Sequence, residues 1–237
     1  MARRGAGRLI VGPDSRVAVY YSPDPDDALF AAGATWLGRD PESTAPAPQP
    51  NLPGIEAITA EARVYGFHAT LKPPMRLAAG RSRSELVSAA TALADRIAPF
   101  DLPALAVADI HGFLALRETV PCPALQAFAD ACVEQLDAFR APPSDAELAR
   151  RRNGRLSAVE DAMLARWGYP YVFETWFFHM TITRRLGEAE KSVWRPAAEA
   201  HFAPALSMRR RVTDLCLFVQ AAPGEDFVIA ERVPLRG

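Results

Sequence analysis

Two of the four histidines in this 237-residue chain are followed two places later by threonine, in His68-Ala69-Thr70 and His179-Met180-Thr181. Imidazole titrates near neutrality, so a facing pair can divide acid–base work, one ring taking a proton while the other delivers one. Opening a phosphodiester asks for both steps, because a proton leaves the attacking water or hydroxyl and another reaches the departing alkoxide. The Thr70 and Thr181 hydroxyls can donate hydrogen bonds to the non-bridging phosphoryl oxygens. Such chemistry is expected to run without a metal or other cofactor, since each motif offers one good metal ligand and no carboxylate or thiol cluster accompanies it. Thr supplies 10 of the 237 residues. Two such coincidences among four histidines would then arise by composition alone with a probability of about 1%. The bland alternative is a solvated sheet face that favours threonine by β-propensity.

Both motifs lie in stretches that alternate as strands do. Phe67, Ala69 and Leu71 fall on one face, and His68, Thr70 and Lys72 on the other. Phe178, Met180 and Ile182 oppose His179, Thr181 and Thr183 in the same way. Each strand is predicted to cover a core with one side and to present a His-Thr pair with the other. Lys72, on the polar face, is then placed to neutralise charge on a phosphate, and Thr183 to touch substrate.

The surrounding pattern predicts strands near 16–21, 65–72, 102–108, 113–117, 175–184, 212–220 and 226–233, with Pro73-Pro74 ending the second. Helices are predicted near 26–38, 84–97, 124–139 and 188–200, with two short ones after Pro142-Pro143. The second of these opens on Ser157-Ala158-Val159-Glu160, a capping-box pattern. Residues 109–112 read as a hairpin turn.

Strand, helix, His-x-Thr strand, helix, strand thus occurs between 16 and 108 and again between 113 and 220. This order predicts an α+β, bilobed domain over 16–237, with a first repeat of about 16–110 and a second of about 111–237. A helical insertion at about 143–170 belongs to the second. Each repeat would form a ferredoxin-like βαβ-type lobe with an antiparallel sheet, the two related by pseudo-twofold symmetry around a central cleft. Residues 1–15 read as a flexible lead-in.

A formal net charge of −1 provides no field for gripping long nucleic acid, which favours a small phosphorylated substrate. No run approaches the roughly 18–20 apolar residues of a membrane span, and no signal-peptide core follows Arg3 and Arg4, so a cytoplasmic protein is expected. Cys122, Cys132 and Cys216 share no ligand spacing and read as reduced, buried residues. Nothing indicates an oligomeric state.

Tyr65, at the mouth of the first motif strand, could hydrogen-bond substrate or pack as a structural tyrosine. Arg140 could reach a phosphate from a helix end or simply complement the helix dipole there. The runs Arg150–Arg152 and Arg209–Arg211 read by default as surface cations, with an anion entry path as the alternative. His111 and His201 read as structural or solvent-exposed, and Trp36, Trp167, Trp176 and Trp194 as core packing.

The paired motifs resemble those of the two-histidine (2H) phosphoesterase superfamily, which includes RNA 2′,3′-cyclic phosphodiesterases and 2′-5′ RNA ligase-like proteins. The segments Tyr65-Gly66-Phe67-His68-Ala69-Thr70-Leu71-Lys72-Pro73-Pro74, Phe139-Arg140-Ala141-Pro142, Trp167-Gly168-Tyr169-Pro170-Tyr171-Val172 and Phe178-His179-Met180-Thr181-Ile182-Thr183 more closely resemble its DUF1045 branch. That branch is associated with carbon–phosphorus lyase operons and described as phosphonate metabolism proteins. The similarity runs from Arg16 to about Val233.

The resemblance implies the 2H phosphoesterase fold, two lobes about a cleft. It also implies one histidine as general base and one as general acid, with threonine hydroxyls on the phosphate. Those roles fall on His68, His179, Thr70 and Thr181. It further implies a small cyclic phosphodiester as substrate, either a 2′,3′-cyclic nucleotide or a ribose cyclic phosphate of phosphonate catabolism. Two other readings stay open, an RNA-end processing enzyme of the 2′-5′ RNA ligase-like type and a nucleotide or sugar-phosphate binding protein without turnover.

Overall fold

In the computed structural model of the protein, residues 12, 14–154 and 156–237 are described. Most of the segment 1–15, expected to be a flexible lead-in, lies outside them. The first half of the chain forms β1 (Arg16–Tyr21), α1 (Ala28–Leu37), α2 (Ile55–Tyr65), β2 (Ala69–Met75), α3 (Arg83–Ala94), β3 (Phe100–Leu102), β4 (Leu105–Ile110) and β5 (Phe113–Glu118). The second half forms α4 (Pro123–Gln135), α5 (Asp145–Arg152), α6 (Ala158–Trp167), β6 (Met180–Arg185), α7 (Glu188–Leu206), β7 (Arg210–Val212), β8 (Asp214–Gln220) and β9 (Val228–Pro234). Single 3-10 turns at Asp137–Phe139 and Phe173–Thr175 end α4's segment and lead toward β6. No helix among the described residues is long and apolar enough to cross a membrane.

The architecture is α+β, with two lobes built on antiparallel sheets of order β2-β1-β8-β9 and β4-β5-β6. A short β3-β7 pair stands beside them. Strands are exchanged across the expected boundary near residue 110. β4, expected in the first repeat, pairs with β5, because His111 and Gly112 both take positive φ (49° and 102°) and close a two-residue hairpin. β8 and β9, expected in the second repeat, pair instead beside β1. All seven β8 residues are buried, and such a strand is stable only with a neighbour on each side. The first sheet therefore draws on both ends of the chain, and the second on its middle.

The helices cross over as well. α3 and α4 pack on the first sheet, whereas α1, α2 and α7 pack toward the second, with Trp36 Nε1 of α1 donating to Ile182 O at 2.9 Å. One apolar core runs continuously between the sheets and helices, and it includes Phe67, Ala69 and Leu71 with Phe178, Met180 and Ile182, as alternation required. Gly33 of α1 lies so close to Phe67 that a Cβ there would fall on the Phe67 ring. A smaller cluster of Ala18, Tyr20, Phe218 and Phe227 occupies the other face of the first sheet.

Two local expectations are corrected. The segment before the first motif is a helix, α2, held by the buried stripe of Ile55, Ile58, Thr59 and Ala62. β2 does not stop at Pro73-Pro74 but runs on to Met75. It is an edge strand, so the missing proline N–H groups interrupt no ladder on its outer side.

Candidate active site

His68 stands immediately before β2 and His179 immediately before β6, and both strands are sheet edges. The two edges approach each other, and Trp176 Nε1 donates to Thr70 O across the gap at 2.8 Å. Between them opens a cleft of about 640 Å³ whose lining includes His68, Thr70, His179 and Thr181. A larger hollow of about 940 Å³ lies along the proline-rich segment before α2, but Glu56 and Arg63 are its sole ionisable lining residues. Of the two, the motif cleft is the one lined by imidazole and hydroxyl groups.

Each histidine is oriented by the carbonyl two residues before it. His68 Nδ1 lies 2.8 Å from Gly66 O, and His179 Nδ1 lies 3.1 Å from Phe177 O. A carbonyl accepts, so in both rings Nδ1 carries the hydrogen and the Nε2 lone pair remains for reaction. The Thr70 hydroxyl sits 3.3 Å from His68 Nε2. Gly66 can present its carbonyl this way because it adopts φ 74°, and a Cβ there would press on Pro41 Cβ at 2.7 Å. The His68 ring also stacks on Tyr20, with centroids 3.8 Å apart and planes 22° from parallel.

Burial lowers the His68 pKa to about 4, with the neighbouring His179 and Arg39 acting in the same direction against the Gly66 hydrogen bond. His179 is lowered as well, by burial and then by Arg117, against the bond to Phe177 O. Both rings are therefore neutral near pH 7 in the free protein, each with a basic nitrogen available. Among the described residues no group of three or more His, Cys, Asp or Glu side chains could hold a metal ion.

Lys72 is not in the cleft, contrary to simple alternation. The pairing steps from Tyr20↔Thr70 to Val19↔Lys72, so Leu71 is an extra residue in β2. In such a bulge two successive side chains fall on one side. Leu71 and Lys72 both enter the core side, where the Lys72 ammonium donates to Val133 O (3.1 Å) and Asp137 Oδ1 (2.9 Å) beneath α4.

Arg140 holds the same carboxylate, at 2.8 and 2.9 Å, so it supports the wall rather than meeting the histidines. Tyr65 does line the cleft, stacked on Phe227. Thr183 lines it too, but its Oγ1 accepts from Leu114 N at 2.9 Å, where the β5–β6 register shifts. Arg150 and Arg151 reach the cleft, whereas Arg210 and Arg211 are paired with Asp27 and Asp101 away from it.

Tyr20 and Tyr169 line the cleft and Trp176 the recess beside it, and the sequence reading placed none of the three there. Tyr169 lay within the quoted Trp-Gly-Tyr-Pro segment, the one signal for it. Trp176, read as core, is half-buried in a recess of about 330 Å³ that adjoins His179 and also contains Phe113, Tyr171 and Phe177. His201 is structural, lying 2.9 Å from Ala32 O. His111 is exposed in its hairpin turn.

Comparison with known proteins gives a family match over residues 70–228, to a family described as "Protein of unknown function (DUF1045)". A protein of Janthinobacterium sp. (strain Marseille), named ribose 1,5-bisphosphate phosphokinase PhnN, is 40% identical over 232 residues, covering 94% of this chain and 51% of that protein. A protein of the same name from Laribacter hongkongensis (strain HLHK9) is 38% identical over 221 residues, covering 92% and 51%. The chain thus spans about half the length of these curated relatives. Among solved structures, one titled as a phosphoesterase overlaps with TM-score 0.43 at 16% identity, covering 94% of this chain and 99% of the other. E. coli LigT complexed with 3′-AMP overlaps with TM-score 0.43 at 15% identity, covering 95% and 100%.

Proposed function

The chain belongs to the DUF1045 family, and from that premise we propose that it is a metal-independent two-histidine phosphoesterase that hydrolyses a small cyclic phosphodiester. The observation that carries this reading is the matched pair of histidines, each with Nδ1 tied to the i−2 carbonyl and each lining one cleft with its own threonine. His68, the ring held to about pKa 4, is the base: its Nε2 takes a proton from water as the water oxygen bonds to phosphorus. His179 is the acid. An anionic phosphate bound between the rings favours protonation there, and Nε2 of His179 passes its proton to the ring-ester oxygen as that P–O bond breaks. Thr70 and Thr181 hydroxyls donate to the non-bridging oxygens, and a phosphate monoester is the product.

The curated relatives are named for a ribose 1,5-bisphosphate kinase, and the kinase name belongs to those longer proteins. This chain has no Gly-Lys-Ser/Thr phosphate loop of the P-loop type. The sugar phosphate in that name supports reading the substrate as a ribose cyclic phosphate, in keeping with a role in phosphonate breakdown. The aromatic recess beside His179 favours a second reading, a 2′,3′-cyclic nucleotide whose base stacks among Phe113, Trp176 and Phe177.

Phosphorus NMR tests the chemistry. Purified protein with chelator is mixed with ribose 1,2-cyclic phosphate and with 2′,3′-cyclic AMP, beside His68→Ala and His179→Ala. Conversion of a cyclic diester to a monoester that survives chelation and is lost in both variants is expected. Turnover that persists in both variants overturns the mechanism.

A further inference from the structure

Beside the histidine cleft, and sharing Arg16, Pro74, Arg150 and Arg151 with it, lies a recess of about 50 Å³. That is above the roughly 10–15 Å³ needed to admit a single water, so polar oxygens can enter it. Arg76 and Arg140 also line it, with Glu147 as its carboxylate. Arg140 is committed to Asp137, and Arg76 to Glu147 at 3.2 Å. Arg16, Arg150 and Arg151 have no carboxylate within ion-pair distance among the described residues. Arg16 Nε donates to Gln220 Oε1 at 2.7 Å, and the Arg151 guanidinium lies 4.8 Å over the Tyr169 ring. The acid in the cleft lining is Glu61.

Guanidinium groups drawn from four separate segments thus converge on one small space in a chain whose net charge is −1. Planar N–H forks match phosphate oxygens in geometry, and a dianion is the group that balances several of them. We propose that these arginines form a second anion subsite, for a terminal phosphate monoester. The substrate of the histidine site is then a small cyclic phosphodiester that bears a phosphate at its other end. The two-histidine reading supplies which end reacts.

The subsite has a built-in clasp. α5 carries Arg150 and Arg151 but buries none of its side chains. It is tied down by polar contacts, Arg76–Glu147, Arg152–Asp161 and Arg151 over Tyr169. An anion bridging α5 to Arg16 on β1 adds the contact that the core does not provide, and should slow local opening of the helix.

Ribose 1,5-bisphosphate and ribose 1-phosphate, which differ by the terminal phosphate alone, serve as probes for calorimetric titration and for hydrogen exchange across α5. The wild type is expected to bind the bisphosphate about 10- to 100-fold more tightly. In an Arg150→Ala/Arg151→Ala protein that gap should close to less than about threefold. The bisphosphate alone should slow exchange in α5. Both positions lie on a helix that buries nothing, and circular dichroism checks that the double variant is folded. Equal affinity of the wild type for the two probes, or a gap that survives in the double variant, overturns the subsite. A gap that behaves as expected, in a protein that turns over no cyclic diester, refutes the histidine chemistry and leaves the subsite standing.

Discussion

Replacing Lys72 by methionine separates two accounts of the first motif strand. If its ammonium met the reacting phosphate, its loss would remove transition-state charge stabilisation, about 10²–10³ in kcat. In the structure the group is buried against Val133 O and Asp137, and Asp137 keeps both bonds from Arg140 once the lysine is gone. No charge is stranded, methionine fills the stem's volume, and one carbonyl in the last turn of α4 loses a donor. That amounts to about 1–2 kcal/mol, or about 2–8 °C in Tm for a chain of this length. Asp137→Ala is the harsher change, because it leaves the buried ammonium without its counter-charge and should cost about 3–5 kcal/mol. Burial already lowers the Lys72 pKa against the pull of Asp137. Without the carboxylate it falls further, so the folded state then binds fewer protons than the unfolded one, and Asp137→Ala should recover stability as pH rises toward the ordinary lysine value. Thermal unfolding and cyclic-phosphate turnover are measured side by side. Lys72→Met with an unchanged Tm and a hundredfold lower kcat would refute the structural role, as would an Asp137→Ala protein more stable than Lys72→Met.

Gly33→Ala forces a methyl group onto the fully buried Phe67 ring, one residue from His68. A net loss of about 1–3 kcal/mol is expected, together with reduced kcat, and an unfolding curve matching wild type would contradict the packing. Tyr20→Leu removes the ring stacked on His68 and should lower kcat about ten- to hundredfold while leaving KM within a few-fold, which steady-state kinetics can check. The His68 pKa, lowered to about 4, makes the unfolded chain the better proton binder between about pH 4 and the ordinary histidine value near 6.5. Its contribution is therefore full above about pH 6.5 and is lost as pH falls toward 4, by at most about 3 kcal/mol. Urea midpoints of wild type and His68→Gln at pH 7 and 4.5 should diverge accordingly, and parallel losses would exclude it. Because both histidines are lowered, kcat/KM of the free enzyme should fall on the alkaline side at a pKa below 6.5, and a limb above 7 would count against the acid–base assignment.

What the sequence made legible is what neighbours along the chain decide. Alternation sends Phe67, Ala69, Phe178 and Met180 inward, and the bond from each histidine ring to the carbonyl two residues back, although not read from the sequence, is equally local. Lys72 escaped that rule because a bulge is a property of two paired strands, visible in the steps of β1 against β2 and in neither strand alone. Pro73-Pro74 misled for the same reason, since whether a proline ends a strand depends on whether that strand has a neighbour on its far side. β8 and β9 joined β1 across about two hundred residues, a choice governed by burial of β8 on both faces rather than by order along the chain. Tyr20 and Arg16 reach the histidine cleft through the pairing of β1 with β2, and Arg150 and Arg151 through the placement of α5, contacts between separate segments that spacing along the chain does not fix. The division has a chemical consequence. On the proposed chemistry the reacting nitrogens are set by short-range bonds, whereas the groups that would distinguish one phosphate ester from another are assembled from separate segments, so substitutions there should alter substrate choice without disturbing the histidine pair.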